Sequence, residues 1–260
     1  MRIPTLILTL LFLLSLASTS PALQNTQETP TKPLYQPTGN EATLTGSIIA
    51  NGEVPVARRI DMTADPVCVK LNVGRNELQD LLINNQQVRN AFIYLKSGGP
   101  LDSVRFEVPS AEVVLEHKNC QYSPRVFGVR VGQSVSFVNS DPTIHNTHPT
   151  PKHNREWNMS QAAGGAAVAR SFSRAEQFIP VKDNQHPWER AILGVFDHPF
   201  FAVSDDFGNY EIRGVPPGTY KLLAWHEKLG EQELEITIVP GENRKIDFTF
   251  DVAKARSAME

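Results

Sequence analysis

An all-β fold is predicted by three features of the chain. Apolar residues recur with a period of two over 134–138, at Leu234, Ile236 and Ile238, and at Ile246, Phe248 and Phe250, the pattern of half-buried strands. Turn chemistry punctuates these runs at Asn51-Gly52, Ser97-Gly98-Gly99-Pro100, Gly132-Gln133 and Pro216-Pro217-Gly218. A 3.6-residue period is not sustained anywhere after the first segment, and only 76–82 reads as a short helix or turn.

At the amino end, Met1-Arg2 precedes an apolar run over 6–17 that is too short to cross a hydrocarbon layer of roughly 30 Å as a helix. Ser20-Pro21-Ala22 supplies a small-x-small cleavage site, so 1–22 reads as a signal peptide and the mature chain as periplasmic or secreted, with no transmembrane segment. Residues 23–42, rich in Gln, Thr, Pro and Asn, read as a flexible linker. Loss of Arg2 leaves 24 basic against 28 acidic residues, a charge of −4. Without a Lys/Arg block, such a chain has no electrostatic footprint for nucleic acid or an anionic membrane.

The strands then follow in order. Residues 43–50 run into Asn51-Gly52, a hairpin signal. Residues 88–95 read as a buried strand, followed by 113–115, 126–131 and 134–138; 168–178 reads as a strand after Gly164-Gly165. Cys68 and Cys120 are the only two cysteines. In an exported chain they are expected to form a disulfide, worth about 4 kcal/mol by loop closure, against the rival reading of a metal thiolate.

Asp183, His186 and Glu189 fall three residues apart in Lys182-Asp183-Asn184-Gln185-His186-Pro187-Trp188-Glu189, directly after an apolar strand. This spacing resembles the copper loop of the cupredoxins, Cys-x-x-His-x-x-Met, with Asp183 in the cysteine position and Glu189 in the methionine position. That family's remaining ligand is a histidine often followed by asparagine, and His145-Asn146 matches it. The resemblance implies a cupredoxin-like Greek-key β-sandwich with a mononuclear site at His145, Asp183, His186 and Glu189. His148, Asn146 and Asp141 stand as further candidates, for an added ligand or for support of the ligands; Asn146 would tie the two ligand loops together. Asp141, Asn139 or a backbone carbonyl would hold the second ring nitrogen of His145.

With no thiolate, the blue-copper chemistry that the family's cysteine supports is not expected here. Two imidazoles and two carboxylates form a hard donor set for a divalent ion, copper first in intrinsic affinity, with zinc, iron or manganese as alternatives. A metal-free structural subunit of an envelope assembly is the competing reading. A metal-dependent enzyme is the third, against which stands the lack of a separate base or substrate pocket in the sequence.

Residues 205–226, with Pro216-Pro217-Gly218-Thr219-Tyr220, resemble the carboxypeptidase regulatory-like modules, small β-sandwiches of exported proteins. The layout expected is therefore 1–22 signal peptide, 23–42 linker, 43–203 cupredoxin-like, 204–252 carboxypeptidase regulatory-like and 253–260 tail. The opening strand, with Gly46 and Pro55, could equally belong to the second unit. His198 reads as structural and His226 as an edge histidine, exposed or paired with Glu227. The polar loop 149–165, or the carboxy-terminal sandwich, would offer the surface for an envelope protein partner.

Overall fold

Strands make up most of the regular structure in the computed structural model, which describes residues 32–253. The expected signal peptide, the first part of the expected linker and residues 254–260 lie outside the described residues. In chain order, β1 is Ala42–Asn51, β2 Ile83–Asn84, β3 Gln87–Val88, β4 Phe92–Leu95, β5 Val113–His117, β6 Tyr122–Ser123 and β7 Val126–Arg130. There follow β8 Val135–Asn139, β9 His145–Pro149, β10 Met159–Gln161, β11 Val168–Arg170, β12 Glu176–Lys182 and β13 Arg190–Phe196. The last are β14 Phe201–Val203, β15 Asn209–Val215, β16 Gly218–His226, β17 Gly230–Ile238, β18 Asn243–Lys245 and β19 Phe248–Asp251.

Among the described residues these strands form four sheets. One sheet runs β15-β1-β3-β2, with β18 and β19 also on β1, and a second runs β14-β4-β16-β17. Leu44, Ile48, Ile212 and Phe250 of the first pack against Ile93, Leu95, Leu222 and Ile236 of the second. A third sheet runs β10-β9-β12-β13-β7 and a fourth β11-β8-β5-β6. Between them lie Leu115, Phe137, Val129, Ile179, Val181 and Leu193. The second and third sheets also share a core, in which Phe92, Tyr94 and Leu223 meet Val126 and Phe196.

That layering explains why some strands alternate and others do not. β1 buries every second residue because only one of its faces meets a core. All four residues of β4 are buried, since Ile93 and Leu95 face one core while Phe92 and Tyr94 face the next. Gly194 in β13 makes room there: a Cβ on it would sit 2.6 Å from the Phe196 ring and 3.0 Å from that of Phe92.

Several expectations are revised. Asn51-Gly52 does not turn into an adjacent hairpin strand; β1 instead pairs antiparallel with β15 and parallel with β18 and β19, and 53–82, which carries one short helix, intervenes before β2 and β3, the latter meeting β1 at Ile49 and Gln87. Both β1 and β4 therefore pair with strands that follow residue 203. The helix lies at α1, Pro66–Leu71, rather than at 76–82, because Asp65 caps it with its carboxylate and Pro66 opens its first turn. The expected strand over 168–178 divides into β11 and the start of β12. Part of the expected linker is packed: Tyr35 lies 5.2 Å from Phe106 between ring centres, and its N–H donates to Arg105 C=O. The aromatic ring gives that otherwise polar segment apolar area to bury. Among the described residues, no helix is long and apolar enough to cross a membrane.

Candidate metal centre

Four chain segments meet at one end of the third and fourth sheets. His117 is the last residue of β5 and His145 the first of β9; Asp183 follows β12 and Glu189 precedes β13. The loop between Asp183 and Glu189 is closed by its own backbone: Asp183 N–H donates to Glu189 C=O and Glu189 N–H to His186 C=O. Asp183 Oδ1 accepts the N–H groups of Gln185 and His186 at 2.7 and 3.0 Å. One carboxylate oxygen thus shapes the loop, and the other is free to face the cluster.

His117, His145, Asp183 and Glu189 each place a donor atom within 4.8 Å of the others, and all four are buried. His145 Nδ1 lies 2.8 Å from Asp183 Oδ2 and 3.0 Å from Glu189 Oε2. His117 Nδ1 lies 2.8 Å from Glu189 Oε1, and its Nε2 is 2.9 Å from Thr147 Oγ1. The two imidazoles stack, with ring centres 4.5 Å apart. Tyr122 closes the far side of His117, its hydroxyl donating to the carbonyls of Asn146 and Lys182.

The structure brings together His145, Asp183 and Glu189 of the expected set and adds His117. His186 stands to one side: its Nδ1 meets Asp183 Oδ2 at 3.0 Å, and its Nε2 turns to Asp65 Oδ2 at 3.1 Å. Asp141 lies beneath His145, its Oδ2 3.0 Å from Nε2 and itself accepting Cys120 N–H. Asn146 Oδ1 accepts Asn184 N–H, linking the two loops. His148 is outside the cluster, between Asn184 and Glu156. His226 is buried rather than at an exposed edge: its Nδ1 accepts Lys228 N–H, while Glu227 pairs with Arg125. The polar loop 149–165 is held in place, with Trp157 edge-on to Phe137 and the N–H groups of Lys152, His153 and Asn154 donating to Glu176.

His117 carried a sequence signal. It is the third member of Val113, Leu115 and His117, so strand alternation puts it on the buried face of Leu115, where a polar side chain needs a partner. Asp65 carried none beyond its capping position.

Electrostatics reinforce the geometry. Burial alone would push the His145 imidazole down, but Asp141, Asp183 and Glu189 outweigh it and hold the pKa up at about 11. Burial would raise the Asp183 carboxyl, yet His145, His186 and the N–H groups of Asn146 and Gln185 hold it well below the carboxylate range. His186 is raised in turn: Asp183 and Asp65 overcome its desolvation.

One imbalance is left. His145 Nδ1 can carry a single proton but faces two carboxylate oxygens; the hydrogen bond goes to Asp183, leaving buried Glu189 Oε2 without one. His145 Nε2 is likewise buried without a hydrogen bond, off axis from Asp141. Two imidazoles and two carboxylates suit a divalent ion, whose charge would match both carboxylates and satisfy the orphaned oxygen.

No protein-family model matches the chain, and no curated protein matches it in sequence. Similar solved structures include the copper-containing nitrite reductase of Thermus scotoductus SA-01, 16% identical over 40% of this chain with a TM-score of 0.31. The shared span is 28% of the reductase's own length. They also include a proline-to-phenylalanine mutant of amicyanin in its reduced state, 22% identical over 35% of this chain and 87% of that one, TM-score 0.30. A methionine-to-alanine mutant of amicyanin in its Cu(I) form is 20% identical over 40% of this chain and 98% of that one, TM-score 0.30.

Proposed function

We propose that this chain is an exported metal-binding protein that holds one divalent ion at His117, His145, Asp183 and Glu189. The observation that carries the reading is Glu189 Oε2, a buried carboxylate oxygen without a hydrogen bond, 3.0 Å from a His145 Nδ1 whose one proton is already committed to Asp183. Copper(II) has the highest intrinsic affinity for such donors, and zinc, iron and manganese are also accommodated. With oxygen and nitrogen donors alone, the centre would lack the strong colour and the electron path of a thiolate-bound copper. His186 and Asp141 orient Asp183 and His145.

On this reading the sandwich bearing the site is cupredoxin-like. The other, in which β1 joins β15, β18 and β19, is carboxypeptidase regulatory-like. Export is supported by the apolar run and cleavage site at the amino end and by the Cys68–Cys120 disulfide. A protein partner would dock on the 149–165 face or on the carboxy-terminal sandwich.

Metal analysis of protein purified from its native compartment tests the proposal. Close to one equivalent in the wild type and a large loss in His145→Ala are expected; equal content in both overturns it. A metal-free reading has its own support, since contacts of 2.8 to 3.0 Å are the spacing of a proton-held imidazolium–carboxylate cluster. If so, Cu(II) or Zn(II) would leave the melting temperature unchanged, because only an ion bound by the native state raises it.

A further inference from the structure

The Cys68–Cys120 disulfide lies between two groups of metal-binding side chains. Cys68 shares one group with Asp65 and His186, and Cys120 shares another with Asp141 and His145; within each, the donor atoms lie within 4.8 Å of one another. Both cysteines are fully buried, and in the second group His145 Nε2 lies 3.0 Å from Asp141 Oδ2.

The cysteine backbones are held by more than the sulfur bridge. The Asn72 side-chain amide donates to both Cys68 C=O and Asn119 C=O at 2.9 Å, joining the two segments directly. The Trp188 indole N–H donates to Cys120 C=O, and Cys120 N–H donates to Asp141. Asp65 caps the helix that carries Cys68 while its other oxygen meets His186. Opening the bridge frees a loop constraint that acts mainly on the unfolded chain, and it leaves these native ties in place to hold the sulfurs near each other.

We propose that the reduced protein has a second metal site, in which the Cys68 and Cys120 thiolates, with His186 and Asp65, bind a thiophilic ion such as Cu(I), Zn(II) or Cd(II). A dithiol reductant supplies two electrons and two protons to the S–S bond and becomes a disulfide. The incoming ion then displaces the two thiol protons. This donor set is separate from that of the first centre, so thiol oxidation state selects a hard site alone or a hard site beside a soft one.

Cd(II) titration of the full mature chain tests this, in the oxidised form and after reduction by a trialkylphosphine, which becomes its oxide while water supplies the protons. The reduced form is expected to take up one more ion than the oxidised form, with a thiolate-to-metal charge-transfer band in the ultraviolet. Cys68→Ser should abolish the band, and His186→Asn should weaken binding by about tenfold or more. Circular dichroism should show the reduced chain still folded. A folded reduced chain without the band, a reduced chain that unfolds, or a band of unchanged affinity in both His186→Asn and Asp65→Asn would each overturn the proposal. Binding by the reduced form but not the oxidised one would leave it standing and count against the first centre.

Discussion

His117 Nδ1 and Glu189 Oε1 meet at 2.8 Å, joining two fully buried side chains that lie 72 residues apart in the chain. The contact fastens the end of β5, in the fourth sheet, to the loop before β13, in the third. It also leaves the second oxygen of Glu189 facing His145.

Glu189→Ala should therefore destabilise the metal-free protein by about 1–3 kcal/mol, the usual cost of leaving a buried hydrogen-bonding group such as His117 Nδ1 without its partner. Glu189→Gln keeps the shape and can still bond to His117, so it should lose less stability while still losing metal. Urea unfolding of both variants, alongside metal content, separates the two effects.

Acid stability should depend on His226. Burial first, and then the positive charge of Arg125, lower its pKa to about 4, and its Nδ1 accepts Lys228 N–H in the neutral form. A histidine depressed in the folded state adds stability that is fully present above its ordinary 6.5 and is lost as pH falls toward 4. The loss is on the order of 3 kcal/mol. Asp183, also depressed, loses its contribution only below 3.8, so the two windows are distinct. Denaturation between pH 7 and about 4 should show this limb in the wild type and flatten it in His226→Gln; equal slopes would refute the assignment.

How much of this could be read beforehand varied with whether a signal was local. The alternation at Ile236 and Ile238 and at Phe248 and Phe250 expresses one buried face, and those residues lie in strands, whereas Leu234, two residues earlier in β17, is exposed where the strand runs past the core. β4 and β13 give weaker patterns because each is covered on both faces, a property of neighbours far away in sequence. Asn51-Gly52 has hairpin chemistry, but the strands that satisfy β1 come from the far end of the chain. At the site, the spacing of Asp183, His186 and Glu189 was visible. That His186 turns to Asp65 while His117 enters the cluster follows from the packing of α1 and β5, which loop spacing does not encode.

Gly46 should be intolerant of a side chain. A Cβ there would lie 1.8 Å from Ile246 O and 2.7 Å from the Tyr210 ring, whose hydroxyl donates to that same carbonyl. Gly46→Ala must move backbone and should cost about 3 kcal/mol or more. At Gly128 the nearest atoms to an added Cβ belong to the Phe201 side chain rather than to backbone, so Gly128→Ala should cost less. Melting temperatures of the two variants give the ranking.

The most direct test is an anomalous difference map from crystals of the protein loaded with Zn(II) or Cu(II). One peak is expected within bonding distance of His117, His145, Asp183 and Glu189. A map without density there, from crystals in which those side chains keep their hydrogen-bonded arrangement, would contradict the metal-centre account.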